Sequence, residues 1–272
     1  MAFRVLLAVL FGVLEGVTEW LPVSSTGHLI LLRHFVSFPV RPAFFELFEV
    51  VVQLGAILAV VALFFTRLNP FSRKKTGEER RATWRLWGLI FLAAAPSALV
   101  GFLADDLLEE KLYNAPVVAA ALIFYGVLFL LVEYRWGKTP RRRSDGITPA
   151  RAFGVGLFQV LALVPGTSRS GATVLGGLCL GLSRTAAAEF SFFLGIPTMA
   201  GASGLKAVKF FLAGDTLTCE EVVLLAAGTL TAFLVSITTI RALLGFVRRH
   251  SFAAFGVYRI LLGVSVLLTL LI

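Results

Sequence analysis

The sequence predicts an all-α integral membrane protein: six transmembrane helices and two re-entrant helical hairpins, arranged as an inverted-topology repeat. Three observations carry this. Apolar residues come in long uncharged runs, at 86–104, 112–132, 222–240 and 260–272, and a helix of about 20 residues crosses the hydrocarbon core. The charges gather between such runs, basic in some places and acidic in others. Two further segments, 2–34 and 151–182, break in the middle at a cluster of Pro, Ser and Gly. With 58% hydrophobic and 15% charged residues and a mean hydropathy of +0.88, the chain has too little charge to coat a soluble domain of its length. The first apolar stretch leads into Glu15 and Glu19 with no small-residue cleavage site, so it does not read as a signal peptide.

Taken in order, the spans fall at 44–66, 84–104, 114–134, 185–206, 220–242 and 252–272. Residues 67–85, 135–151 and 241–249 hold seven, six and three Lys or Arg, whereas 105–111 and 215–221 are acidic on balance. Basic loops stay in the cytoplasm, which puts the acidic loops and the N-terminus outside. The net charge of +9 is therefore a topology signal, and nucleic-acid binding is excluded. Segments 2–34 and 151–182 each lie between two loops on the same side, so each enters and leaves by one face. Cys179 and Cys219 have no metal spacing and read as small core residues.

The halves, about 1–136 and 150–272 of a single membrane domain, share one order: a broken hairpin, then three spans. Pro22-Val-Ser-Ser-Thr-Gly27 resembles Pro165-Gly-Thr-Ser-Arg-Ser-Gly171. Gly12-x-x-Glu15 matches Gly156-x-x-Gln159, and Glu49-x4-Leu54-Gly55 matches Glu189-x4-Leu194-Gly195. Inverted repeats bring their broken helices together near the midplane, and irregular backbone is tolerated there only inside protein or facing water. The two Ser/Gly tips are thus expected to meet and form the site.

The first tip carries Glu15 and Glu19, four apart and hence on one helix face. Paired carboxylates call for a cation or a shared proton; a divalent metal would use one or two carboxylates plus phosphate oxygens. Ser24, Ser25 and Thr26 follow Pro22, with Gly27 and His28 behind them. Small hydroxyl residues and glycine let backbone N–H groups approach an anion. His28 supplies a base, and one helical turn would bring it within reach of Ser25 as a nucleophile–base pair. Alternatively, Ser24 or Ser25 is a helix N-cap. The second tip adds Gly166, Ser168, Ser170, Gly171 and Arg169, whose guanidinium suits phosphate or else neutralises a glutamate. Arg259 in the last span is a second cation, with a position that also allows snorkelling toward the cytoplasmic end. Two acids, hydroxyls, a histidine and a buried arginine suit phosphoryl transfer. A lipid-carrier flippase or proton-coupled transporter is the rival reading, because this architecture and an intramembrane Glu pair also occur in transporters.

Over Glu15-Gly-x-Thr-Glu19-Trp20-Leu-Pro-x-Ser-Ser-Thr-Gly-His28 and Pro165-Gly-x-Ser168-Arg169-Ser170-Gly171 the chain closely resembles the bacterial undecaprenyl-diphosphate phosphatases, the bacitracin-resistance family. The likeness extends to Gln53-Leu-Gly-Ala-Ile-Leu-Ala59, Glu189-Phe-Ser191 and Tyr258-Arg259; Trp20 stands where the family usually has Phe. The resemblance implies hydrolysis of undecaprenyl diphosphate to undecaprenyl phosphate and phosphate, which recycles the carrier lipid for peptidoglycan and confers bacitracin resistance. It implies a divalent cation such as Mg²⁺ or Ca²⁺, for which Glu15 and Glu19 are the candidate ligands. It also implies a bacterial plasma membrane location and a site facing outward. Carried over, Glu15 and Glu19 are the essential acids, and Ser25 and His28 the catalytic pair. Ser168, Arg169 and Thr26 hold phosphate, with Ser24, Gln53, Gly166, Ser170, Gly171 and Arg259 among the candidate substrate contacts. Either Ser25 or His28 is the nucleophile. The partners are the polyprenyl diphosphate and membrane lipids, and a homodimer is compatible with the sequence.

Overall fold

The structure, a computed structural model, describes residues 1–136 and 144–270, the side chains of 105–110 and 136 excepted. The expected cations at 138 and 141–143, the acidic side chains at 105–110 and the last two residues of the final span lie outside the described residues. The described part is helical, with one isolated backbone bridge, between Ser144 and Leu182.

The first half is α1 (Ala2–Thr18), α2 (Ser25–Phe35), α3 (Pro42–Leu63), the single turn α4 (Phe65–Leu68), α5 (Gly77–Leu112) and α6 (Ala115–Trp136). The second is α7 (Pro149–Val160), a 3₁₀ turn over Leu161–Leu163, α8 (Arg169–Cys179), α9 (Arg184–Leu212), α10 (Cys219–Val247) and α11 (Ala253–Leu268). Helices α3, α6, α10 and the stretch Gly77–Ala104 of α5 are long and apolar enough to cross a membrane, and 149–163 and 253–268 are shorter apolar helices. The chain is a multi-pass, all-α membrane protein. Both segments expected to be broken are broken, between α1 and α2 and between α7 and α8.

Several boundaries differ from the sequence reading, each for a local reason. Helix α5 begins seven residues before the expected span because Thr76 and Glu79 form a reciprocal capping box. It also continues to Leu112, through the 105–111 stretch expected as a loop. Thr218 and Glu221 start α10 in the same way. Pro42 and Pro149 stand at the first position of α3 and α7, where a missing N–H costs nothing. Cys179 and Cys219 are exposed at helix ends instead of lying in the core.

The packing interleaves the halves. Helix α1 lies on α10 while α7 lies on α5; α3 packs against both α9 and α10, and α6 against α11. Glycines make the first two contacts close. A Cβ on Gly12 would stand 2.5 Å from the Gly228 carbonyl oxygen, and one on Gly156 only 2.3 Å from that of Ala93. Ion pairs gather the ends: Arg41 binds Asp215 and Glu221, and Arg4 binds Glu220. At the other end Arg67 pairs with Glu189 and Arg184 with Glu133.

Candidate active site

Each tip turns on one strained serine. Among the described residues, Ser24 (φ 73°, ψ 104°) and Ser168 (φ 69°, ψ 124°) are the two non-glycine residues with positive φ. They occupy the same place, as N-cap of α2 and of α8. The Ser24 hydroxyl accepts from Gly27 N at 3.4 Å and the Ser168 hydroxyl from Gly171 N at 3.1 Å. Such backbone costs about 1–3 kcal/mol and persists where the surroundings over-determine it. Each of these serines begins a short helix whose first N–H groups lack helical acceptors.

The tips do meet. Ser170 Oγ donates to the Leu21 carbonyl at 3.1 Å, across the junction, and contacts Ser168 Oγ at 3.1 Å. Arg169 reaches back to Glu19, its Nη2 and Nε donating to Oε1 at 3.0 and 3.3 Å. Its Nη1 donates to the Ser191 carbonyl at 2.7 Å, and the guanidinium lies 5.6 Å from the centre of the Trp20 ring. Arg169 thus neutralises Glu19, one of the two roles the sequence left open. Trp20, where the family usually has Phe, is fully buried and packs edge-on against Phe192. Glu15 is 4% exposed, and its Oε1 has no hydrogen-bond partner among the described residues. Glu19, Glu49 and Arg169 are the charged groups that act on it.

Arg259 is not a snorkelling residue. It is fully buried and donates to Gly166 O at 2.8 Å, Thr167 O at 2.9 Å and Pro22 O at 3.3 Å. The broken helices free these carbonyls, and one guanidinium on α11 ties both tips together through them. The expected Ser25–His28 hydrogen bond is not formed. His28 Nδ1 lies 2.7 Å from the Ser24 carbonyl and Nε2 lies 2.7 Å from the Tyr258 hydroxyl. A carbonyl only accepts, so Nδ1 carries a proton, and in the neutral ring the Nε2 lone pair accepts from Tyr258. Ser25 and Thr26 are half-buried in the first turn of α2. Gln53 is half-buried on α3 and makes no hydrogen bond to either tip.

A cavity of about 680 Å³ opens beside His28, between α1, the first tip, α10 and α11. Its walls are chiefly apolar, with Val17, Leu21, Leu243, Phe246 and Phe255 among them; the polar groups on its lining are Thr18, Thr238, Thr239, His28 and Tyr258. An apolar slot with a histidine and a tyrosine on its wall suits an amphiphile with a long tail and a polar head.

Comparison with known proteins gives the same direction. The family described as Bacitracin resistance protein BacA matches residues 8–265. The chain belongs to this family. It is 50% identical over 266 residues to the undecaprenyl-diphosphatase of Streptococcus thermophilus, covering 97% of this chain and 92% of the relative. It is 49% identical over 258 residues to that of Enterococcus faecalis, covering 94% of each.

The residues at the site to which sequence reasoning gave no role are Tyr258, Gly195 and Ser191. Tyr258 is an ordinary aromatic in an apolar span until the fold stacks it on His28, ring centroids 5.6 Å apart and 12° from parallel. A Cβ on Gly195 would lie 2.9 Å from Arg169 Cζ, so the glycine clears the path of the guanidinium. Gly195 and Ser191 lie in or beside a repeated motif, Glu189-x4-Leu194-Gly195, which was the available signal.

Proposed function

We propose that this protein hydrolyses undecaprenyl diphosphate to undecaprenyl phosphate and phosphate, in a bacterial plasma membrane, from a site facing outward. The observation that supports it most is that the two tips meet beside an apolar cavity: His28 and Leu21 of the first tip line its wall, Ser170 of the second tip bonds the Leu21 carbonyl, and the Glu19–Arg169 pair joins the tips. The C55 tail lies in the cavity and enters between α10 and α11, leaving the diphosphate over the tips. Arg169 and the first-turn N–H groups of α2 and α8 carry the charge of the terminal phosphate. Ser168 and Ser170 line the same junction, and Thr26 lies in the first turn of α2. By the positive-inside rule, the end bearing 67–76 and 248–252 is cytoplasmic and the end bearing Arg41 and Asp215 is external. Both tips come from one chain, so the reading needs no second copy.

The geometry favours His28 as the nucleophile. Its Nδ1–H is held by the Ser24 carbonyl, and its Nε2 lone pair is free to aim at phosphorus once Tyr258 yields. A bond forms from Nε2 to the terminal phosphorus, and the bond from that phosphorus to the bridging oxygen breaks. The leaving group is undecaprenyl phosphate, and water then cleaves the P–N bond to release phosphate. A divalent cation fits Glu15 and Glu19: Glu15 Oε1 is a buried acceptor without a hydrogen-bond partner among the described residues, and a diphosphate brings further oxygens. Mg²⁺ or Ca²⁺ held there would supply charge neutralisation.

Phosphate release from undecaprenyl diphosphate by purified protein in detergent, with Mg²⁺ or Ca²⁺ and with a chelator, tests the reading. Release that the chelator abolishes is expected. Folded protein that releases nothing with either cation would contradict it.

A further inference from the structure

We propose that Tyr258 is the positioning residue for His28: its hydroxyl holds the imidazole in the tautomer that leaves the lone pair on Nε2, facing the cavity. The proposal rests on the phosphatase reading above, but the bond it invokes stands on geometry alone. The hydroxyl lies 2.7 Å from Nε2, and the two rings stack at 12°. An imidazole hydrogen-bonded at both nitrogens and covered on one face has little freedom to rotate about its side-chain torsions. The Ser24 carbonyl selects a proton on Nδ1, and Tyr258 completes the arrangement by donating to the other nitrogen.

Tyr258 is itself fixed by its neighbour. Arg259, next in α11, is locked to Pro22, Gly166 and Thr167, so α11 cannot slide relative to the tips without breaking those bonds. Its ring also lines the cavity and is 46% exposed, which leaves room for the hydroxyl to yield Nε2 when a phosphoryl group arrives. The charged groups around the junction are Glu15 and Glu19 on the first tip, Arg169 on α8 and Arg259 on α11. Among the described residues none of them is hydrogen-bonded to His28, so the tyrosine is the group that controls Nε2. The near-parallel ring of Tyr258 adds the orientation of the imidazole to the tautomer.

Tyr258→Phe keeps the ring and removes the hydroxyl. In ¹⁵N-histidine NMR of the detergent-solubilised protein, wild-type His28 is expected as the Nδ1–H tautomer with a hydrogen-bonded Nε2. In the variant the Nε2 resonance moves toward that of an unbonded pyridine-type nitrogen. Turnover of undecaprenyl diphosphate falls roughly 10- to 30-fold in kcat with KM changed less than about threefold, and the thermal unfolding midpoint is unchanged. A residue that merely packs would move neither the resonance nor kcat. An unmoved resonance, or a moved resonance with wild-type kcat, overturns the proposal while the phosphatase reading stands. A wild-type protein that releases no phosphate overturns the phosphatase reading and the positioning role with it.

Discussion

At the residue scale, the site is a set of charges that the interior can hold only in one arrangement. Arg169 lies against Trp20 and gives two donors to Glu19 and one to the Ser191 carbonyl, which leaves two of its five N–H donors for a phosphate. Removing one partner of such a buried pair leaves the other uncompensated, which costs more than the pair contributes. Glu19→Gln and Arg169→Met are each expected to lower kcat/KM by at least about a hundredfold. Kinetics on the purified proteins check this. A gentler probe is Gly195→Ala, whose methyl would press on Arg169 Cζ; it should cost about tenfold in activity with the fold intact. Gly201→Ala, in the same helix with open space around it, should be silent. The sequence exposed Glu15, Glu19 and Arg169 because a charge in an apolar stretch needs a reason. It hid Gly195 and Tyr258, since a glycine and an aromatic are the ordinary furniture of a membrane helix.

At the scale of elements, the work falls to two helices of 11 residues and to α11. Helices α2 and α8 begin at serines in a backbone conformation that side chains rarely adopt, and α11 ties the loops before them together through Arg259. Charged donors to carbonyls contribute about 1.5–3 kcal/mol each. Arg259→Met should therefore both lower the thermal unfolding midpoint and cut turnover by more than about a hundredfold, whereas a cation that only binds substrate would spare stability. The cavity gives a separable outcome. Ala242→Trp, on its α10 wall, should raise KM for undecaprenyl diphosphate by about tenfold or more while kcat changes much less. Hydropathy marked where the spans are but not where the helices end. Thr76 and Glu79 decide the start of α5 outside the apolar run, and that capping box was readable as Thr76-Gly-Glu-Glu79. The fate of Arg259 was not readable, because its acceptors are backbone carbonyls of two loops 92 or more residues away in sequence.

At the scale of the whole molecule, the two halves trade partners: α1 on α10, α7 on α5, with both tips closing on one another. Each broken hairpin has freed backbone that the bilayer could not tolerate, and each is satisfied by the other and by α11. The acidic end pairs around Arg41 and the basic end around Arg67 and Arg184, so loop charge forecast which loops cluster. What loop charge could not forecast is which side chains face each other inside; Ser25 and His28 stand at helical spacing, yet His28 turns to Ser24 and Tyr258. The central claim is that this junction transfers a phosphoryl group and that His28 receives it. The most direct measurement compares phosphate release from undecaprenyl diphosphate by purified wild-type, Ser25→Ala and His28→Ala proteins in the same detergent and cation. The predicted result is a loss of at least about a thousandfold for His28→Ala and of no more than about tenfold for Ser25→Ala. A His28→Ala protein that turns over within tenfold of wild type, or a Ser25→Ala protein that does not turn over at all, would contradict it.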